Sequence, residues 1–165
     1  MRFINRLNET IGKYEGYFVT WSMLIMSALI FLQIIMRYIF NNSLSWSEEL
    51  TVFISTYMIW IAASYAIKKD AHLRITLFVD MLSPKLRSLA YLVIDVVWLL
   101  FSGCMIYLGE KMVRMSYLNN RLSPAMEVPM WIIYASLILG SVLMCIALAG
   151  KILERIVEMT SRKEA

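Results

Sequence analysis

Four long apolar runs, residues 16–36, 50–67, 89–108 and 128–150, alternate with short segments that carry nearly all of the charge. A hydrocarbon core of about 30 Å takes about 20 helical residues at about 1.5 Å each, so every run is long enough to cross one. The first, second and fourth contain no Asp, Glu, Lys, Arg or His, and the third contains only Asp95. A segment surrounded by lipid must satisfy its own backbone hydrogen bonds, and none of the runs alternates with the two-residue period of a barrel strand. The pattern predicts an all-α integral membrane protein with four transmembrane helices, forming a single membrane domain over residues 1–165.

The segments between the runs carry their own signals. Ile4, Leu7, Ile11 and Tyr14 recur at helical spacing against Arg6, Asn8, Glu9 and Lys13, which predicts an amphipathic interfacial helix over 3–15. Ser45 and Glu48 have the spacing of a capping box, so the second helix is expected to start near Trp46. Ser83-Pro84 reads as an N-cap with proline at the first helical position, and Pro129 plays the same part for the fourth helix. Ile75 to Leu82 is apolar enough to form a short interfacial segment on the membrane surface, and 151–165 reads as a polar tail. A cleaved signal peptide fits the first run poorly: the run is long, Glu9 and Glu15 precede it, and Met36-Arg37-Tyr38 offers no small-residue cleavage site.

Composition agrees with a lipid solvent: 60% of residues are hydrophobic, 17% are charged, and the mean hydropathy is +0.65. Charge then sets the expected topology. Arg2, Arg6 and Lys13 precede the first run. Lys68, Lys69, Arg74, Lys85 and Arg87 lie between the second and third, and Lys151, Arg155, Arg162 and Lys163 follow the fourth. The opposite side holds only Arg37, Lys111, Arg114 and Arg121. Cytoplasmic loops keep the excess of Lys and Arg, so both termini are expected in the cytoplasm, N-in and C-in. The net charge of +4 is then explained by topology and by membrane lipid headgroups, and gives no reason to expect a nucleic-acid partner.

Little catalytic chemistry is present. His72 is the single histidine, which rules out bis-histidine haem ligation within this chain, and no His, Cys and acidic cluster has ligand spacing. No nucleophile with a plausible base lies in a span, and no Gly-rich phosphate loop occurs. The expectation is a chain that is not an enzyme and holds no cofactor or metal. Cys104 falls near the outer end of the third helix and Cys145 near the inner end of the fourth, about 15 Å apart in depth by helical rise. A disulfide needs Cα atoms within about 7 Å, so both are expected free.

Three places attract a functional reading. Asp95 is an acid in an apolar run, about 10 Å from Leu89 along the helix, where Ser22, Ser64 and Ser141 are candidate hydrogen-bond donors. It is either a proton or sodium site or a polar clamp between helices or subunits. The outer hairpin places Arg37 at the end of the first helix against Glu48 and Glu49 at the start of the second, with Trp46 as an interfacial aromatic. Acids at a helix N-terminus are also stabilised by the dipole alone. The inner end of the second helix, with Lys68, Lys69, His72 and Arg74, is either a topology signal or a set of partner contacts.

Taken in order, Arg37-Tyr38, SWSEEL at 45–50, Ile59-Trp60, Ala62-Ala63, the basic run, His72-Leu73-Arg74-Ile75, Ser123-Pro124-Ala125 and Val128-Pro129-Met130-Trp131 resemble the small DctQ/SiaQ-type membrane subunit of tripartite ATP-independent periplasmic (TRAP) transporters. The chain departs from that family at Ala62 and Ala63, where glycine is usual; alanine still permits close helix approach. The resemblance implies a bacterial inner-membrane, multi-pass subunit. Its partners would be a large DctM/SiaM-type membrane subunit and a periplasmic DctP/SiaP-type substrate-binding protein, transporting an organic acid of the sialic acid or C4-dicarboxylate class. The substrate site and sodium coupling would reside in the large subunit.

On this reading the chain is a non-substrate-binding scaffold. Trp60, Trp98, Asp95 and the small residues Ala62, Ala66, Ser136 and Gly140 would contact the large subunit, and the hairpin around Arg37, Trp46, Glu48 and Glu49 would help dock the binding protein. Two alternatives remain: a self-sufficient small proton-coupled four-helix transporter using Asp95, and a membrane anchor for a redox enzyme.

Overall fold

Of the three prolines, Pro124 and Pro129 fall in a loop and Pro84 is the first described residue of its helix, so none interrupts the hydrogen-bond ladder inside a described span. The computed structural model describes residues 2–69 and 84–161. It contains four helices: α1 (Arg2–Tyr38), α2 (Ser45–Lys68), α3 (Pro84–Leu118) and α4 (Trp131–Ser161). All four are long and apolar enough to cross a membrane, over Asn8–Tyr38, Ser45–Lys68, Leu89–Leu118 and Trp131–Arg155. These ranges contain most of each predicted run and extend beyond it, because helices continue past the apolar residues until a turn stops them.

The boundaries differ from the predicted ones in instructive ways. No break separates residues 3–15 from the first span; they form the first turns of α1. Over 8–15, where burial is described, Gly12 and Glu15 are buried and Tyr14 points outward at 72% exposure. The capping box does not form: Leu44 takes the N-cap position without a side-chain bond, and the Glu48 carboxylate accepts instead from Gln33 Nε2 of α1. Pro129 pairs with Leu122 in a small antiparallel bridge, which delays the start of α4 to Trp131. The third helix is described from Pro84 onward. Its expected cap at Ser83, the surface segment 75–82, His72, Arg74 and the distal tail lie outside the described residues.

The contacts run α1–α2–α4–α3, with a smaller contact between α1 and α4. α4 is therefore the central helix: 39% of its most apolar stretch is buried, against 6% for α1. Met144, Ala147 and Leu148 of α4 and Ile67 of α2 form the core, with Ala63, Trp98 and Leu99 packed around it. Because the helices alternate in direction, the two short connections lie together at one end, here termed the hairpin end. The first residues of α1 and the last of α4 lie at the other, the terminal end. Asn41, Asn120 and Glu127 adopt left-handed backbone conformations (φ 50°, 45° and 54°) in the two hairpin-end loops, where asparagine tolerates a tight reversal. Cys104 and Cys145 are free, as the depth estimate requires.

Candidate functional site

Polar side chains gather at the two ends of the bundle. At the hairpin end Glu49, just past the first turn of α2, reaches the 119–130 loop. Its Oε2 accepts hydrogen bonds from Ser123 Oγ (3.0 Å), the Ala125 amide (3.1 Å) and the Met126 amide (2.7 Å). Ser123 in turn accepts the Val128 amide and pairs its own amide with the Val128 carbonyl. One carboxylate thus ties the loop before α4 to the start of α2. Tyr57 adds a second tie, its hydroxyl donating to the Ile132 carbonyl at 2.6 Å. Hydrogen bonds to a charged group contribute about 1.5–3 kcal/mol. Glu49→Ala is therefore expected to raise hydrogen–deuterium exchange at Ala125 and Met126 by at least about tenfold while leaving α4 protected. Unchanged exchange would show that the carboxylate does not hold the loop.

The expected pairing of Arg37 with the acids does not form. Glu48 is engaged by Gln33, Glu49 by the loop, and Arg37 is exposed without an ion pair among the described residues. Trp46 is also exposed, beside them at the same end.

At the terminal end Glu15 is the most buried carboxylate among the described residues. Its Oε1 accepts from Ser64 Oγ at 2.9 Å and forms an ion pair with Lys68 Nζ at 2.6 Å, and both charged side chains are almost wholly enclosed. Gly12 and Gly16 let α1 approach closely here: a Cβ on Gly16 would stand 3.2 Å from the Tyr65 ring. Beside the pair, Lys13, Lys69 and Lys151 line an open cleft of about 840 Å³. On local pattern alone Glu15 belongs to a polar leader and Lys68 is a topology signal. An acid at the start of one apolar run and a lysine at the end of the next, which an antiparallel hairpin brings together, is the clue that the sequence does hold.

Asp95 was expected at depth near Ser22, Ser64 and Ser141. It instead contacts Arg155, with Arg155 Nε 2.7 Å from its Oδ2, while the same guanidinium covers the Tyr91 ring at 4.6 Å. By sequence Arg155 falls in the polar tail; α4 continues far enough to bring it beside α3. Depth follows from α4, where Trp131 and Lys151 are separated by about 30 Å of helical rise, the thickness of a hydrocarbon core. Arg155, and Asp95 with it, lies about 6 Å beyond the Lys151 level. The contact therefore joins α3 to α4 toward the terminal end of the bundle.

The remaining expected interface residues divide. Trp60 is near mid-depth and lies directly on Gly140: a Cβ there would meet Trp60 Cβ at 2.5 Å and its carbonyl carbon and oxygen at 2.9 Å. Ser136 is buried and donates to the Ile133 carbonyl. At Gly140 the Ser136–Gly140 groove is thus filled by α2 of the same chain. Trp98 packs on the Ile67–Met144–Leu148 core. Ala62 and Ala66 are partly buried on α2. Among the described residues no group of acids, histidines and cysteines is placed to hold a metal.

Comparison with known proteins gives one family. The model for the DctQ component of tripartite ATP-independent periplasmic transporters matches residues 26–158. The C4-dicarboxylate TRAP transporter small permease protein of Vibrio cholerae is 30% identical over 100 residues, covering 61% of this chain and 43% of that protein. The sialic acid TRAP transporter small permease protein of the same organism is 31% identical over 108 residues, covering 66% of this chain and 62% of that protein. An isethionate TRAP transporter permease protein, DctMQ, from Oleidesulfovibrio alaskensis is 25% identical over 143 residues, which are 83% of this chain but 22% of that protein. The chain thus aligns with less than two thirds of the length of each of these relatives.

Proposed function

This chain belongs to the DctQ component family of TRAP transporters, and from that membership we propose that it is a scaffold that holds a large transport subunit in the bacterial inner membrane. The observation that carries the proposal is the isethionate permease, in which the sequence corresponding to this chain is about a fifth of a much larger permease polypeptide. A stretch covalently joined to the rest of a permease works beside it, and a separate chain of the same family is read as doing so by association. The polar groups of this chain support a structural part: Asp95 and Arg155, Glu15 and Lys68, and Glu49 and the 119–130 loop are joined within the chain. The substrate is then an organic acid of the sialic acid or C4-dicarboxylate class, after the names of the relatives, and sodium coupling belongs to the large subunit.

Both termini are read as cytoplasmic from the Lys and Arg distribution. The hairpin end then faces the periplasm, where the loop held by Glu49, with Glu48 and Trp46 exposed beside it, offers a surface for the substrate-binding protein.

The test is to express a DctM-type large subunit from the same genome with and without this chain. The expected result is that the two co-purify, and that sodium-dependent uptake of the organic acid in the presence of the binding protein needs both. Full uptake without this chain would refute the scaffold role. Solute-driven proton movement by this chain alone, abolished by Asp95→Asn, would replace it with the self-sufficient transporter, a reading that the Asp95–Arg155 contact does not favour.

A further inference from the structure

The outward faces of α1 and α3 differ in how they match a bilayer. α1 presents an uncharged outward face from Gly16 to Met36: Tyr17 and Trp21, then Leu24, Ile25, Ile30, Phe31 and Ile34 are exposed, with no ionisable acid or base among residues 16–36. An uncharged outward face is what lipid selects.

α3 shows the reverse pattern. Its register on α4 is fixed at three points: the Tyr117 and Trp131 rings meet edge to face with centroids 6.5 Å apart, a Cβ on Gly109 would stand 2.8 Å from Ile138, and Asp95 contacts Arg155. Counting along α3 from Tyr117, or along α4 from Trp131 to Ile138, gives the same depth for the Gly109 level, about 10 Å into the apolar slab. Glu110 and Lys111 follow Gly109 directly and are exposed, and Arg114 is exposed one turn nearer the hairpin end. None of the three has an ion pair among the described residues. The apolar run by itself ends this span at Leu108 and leaves these charges in solvent; the register on α4 moves them inward.

At the other end the mismatch is opposite in kind. Leu86, Leu89 and Val93 are exposed at 53%, 50% and 53%, yet they lie at or beyond the Asp95–Arg155 level, past the apolar slab. Charges face outward where lipid is apolar, and apolar side chains face outward where it is polar. Ionisable groups at such depth are costly against lipid and as a rule face protein or water. These residues share one stripe: Leu86, Val93, Leu100, Tyr107 and Arg114 repeat every seven residues, with Leu89, Gly103 and Glu110 between them. At mid-stripe a Cβ on Gly103 would meet nothing within 4 Å, which leaves room for another helix to come close.

We infer that this stripe of α3, and not α1, is the face on which the large TRAP subunit docks. The partner presents groups complementary to Glu110, Lys111 and Arg114 within the membrane, a helix over Gly103, and an apolar surface that continues past the headgroups to cover Leu86 and Leu89. The inference rests on the scaffold reading above for the partner's identity.

The test uses the full chain co-expressed with its large subunit, with a photo-crosslinking amino acid at Leu100 or Tyr107 on α3 and at Leu24 or Phe31 on α1. Crosslinks to the large subunit are expected from the α3 positions only. The paired reversal Glu110→Lys with Lys111→Glu keeps the net charge and touches no internal contact, and is expected to reduce co-purified large subunit by at least about tenfold, since like charges brought together at an interface oppose binding. Crosslinks from α1 alone would overturn the choice of face while leaving the scaffold reading intact. Unchanged recovery with the reversed charges would also overturn it. Failure to co-purify even as wild type, with no crosslink at any position, would overturn both.

Discussion

Replacing Lys68 with methionine is expected to destabilise the folded chain by about 3–5 kcal/mol, the cost of leaving a buried charge without its partner. Glu15 sits between Ser64 and Lys68 at the terminal end, and with Lys68 gone only the Ser64 hydroxyl still meets its carboxylate. The cost comes from the orphaned acid more than from the lost attraction, which gives the prediction a second arm. Glu15→Leu combined with Lys68→Met removes both charges and is expected to recover most of the loss, because a buried pair exchanged for apolar side chains of similar size is often neutral. Unfolding of the purified chain in mixed micelles of increasing denaturing detergent measures both. A double variant as unstable as Lys68→Met alone would mean that the pair itself, and not an uncompensated charge, sets the stability of this end.

Gly140→Ala is the second large effect, expected to cost about 1–3 kcal/mol as overpacking between α2 and α4. One methyl group there would lie 2.5 Å from Trp60 Cβ and 2.9 Å from the Trp60 carbonyl carbon and oxygen. Two of those three atoms are backbone, so the strain cannot be relieved by a rotamer change, and the helices must move apart. For the same reason Trp60→Ala, which keeps Cβ and the carbonyl, is expected not to rescue it. Gly103→Ala is the internal control: with nothing within 4 Å it is expected to be neutral or slightly stabilising in the isolated chain, through the helix propensity of alanine. Comparing the folded fraction of the three variants by size-exclusion chromatography and circular dichroism checks this, and equal losses at Gly140 and Gly103 would contradict the close α2–α4 crossing.

Glu15 and Asp95 show how far local pattern can be trusted. Asp95 stands out in the sequence as the one acid in an apolar run, yet a residue's depth depends on the register of its helix against its neighbours. Arg155, sixty residues later, reaches it only because α4 continues past the apolar stretch. Glu15 looks like one of several charges in a polar leader. Its burial comes from Gly12 and Gly16, which draw α1 onto α2 so that its carboxylate falls between Ser64 and Lys68. The capping box at Ser45 and Glu48 is a local preference overridden by a tertiary hydrogen bond from Gln33.

The sequence by itself determined the four apolar helices, the free cysteines, and the ordered motifs of the DctQ family. Those follow from transfer of side chains to lipid and from backbone hydrogen bonding, which act on each segment separately. Only the tertiary structure decided which helix is central, that Trp60 lies on Gly140, and that Asp95 meets Arg155. Hydropathy measures how well a helix suits lipid but carries no information about its axial position against another helix. That position is set by contacts between residues far apart in the chain, here Tyr117 with Trp131, Gly109 with Ile138 and Asp95 with Arg155.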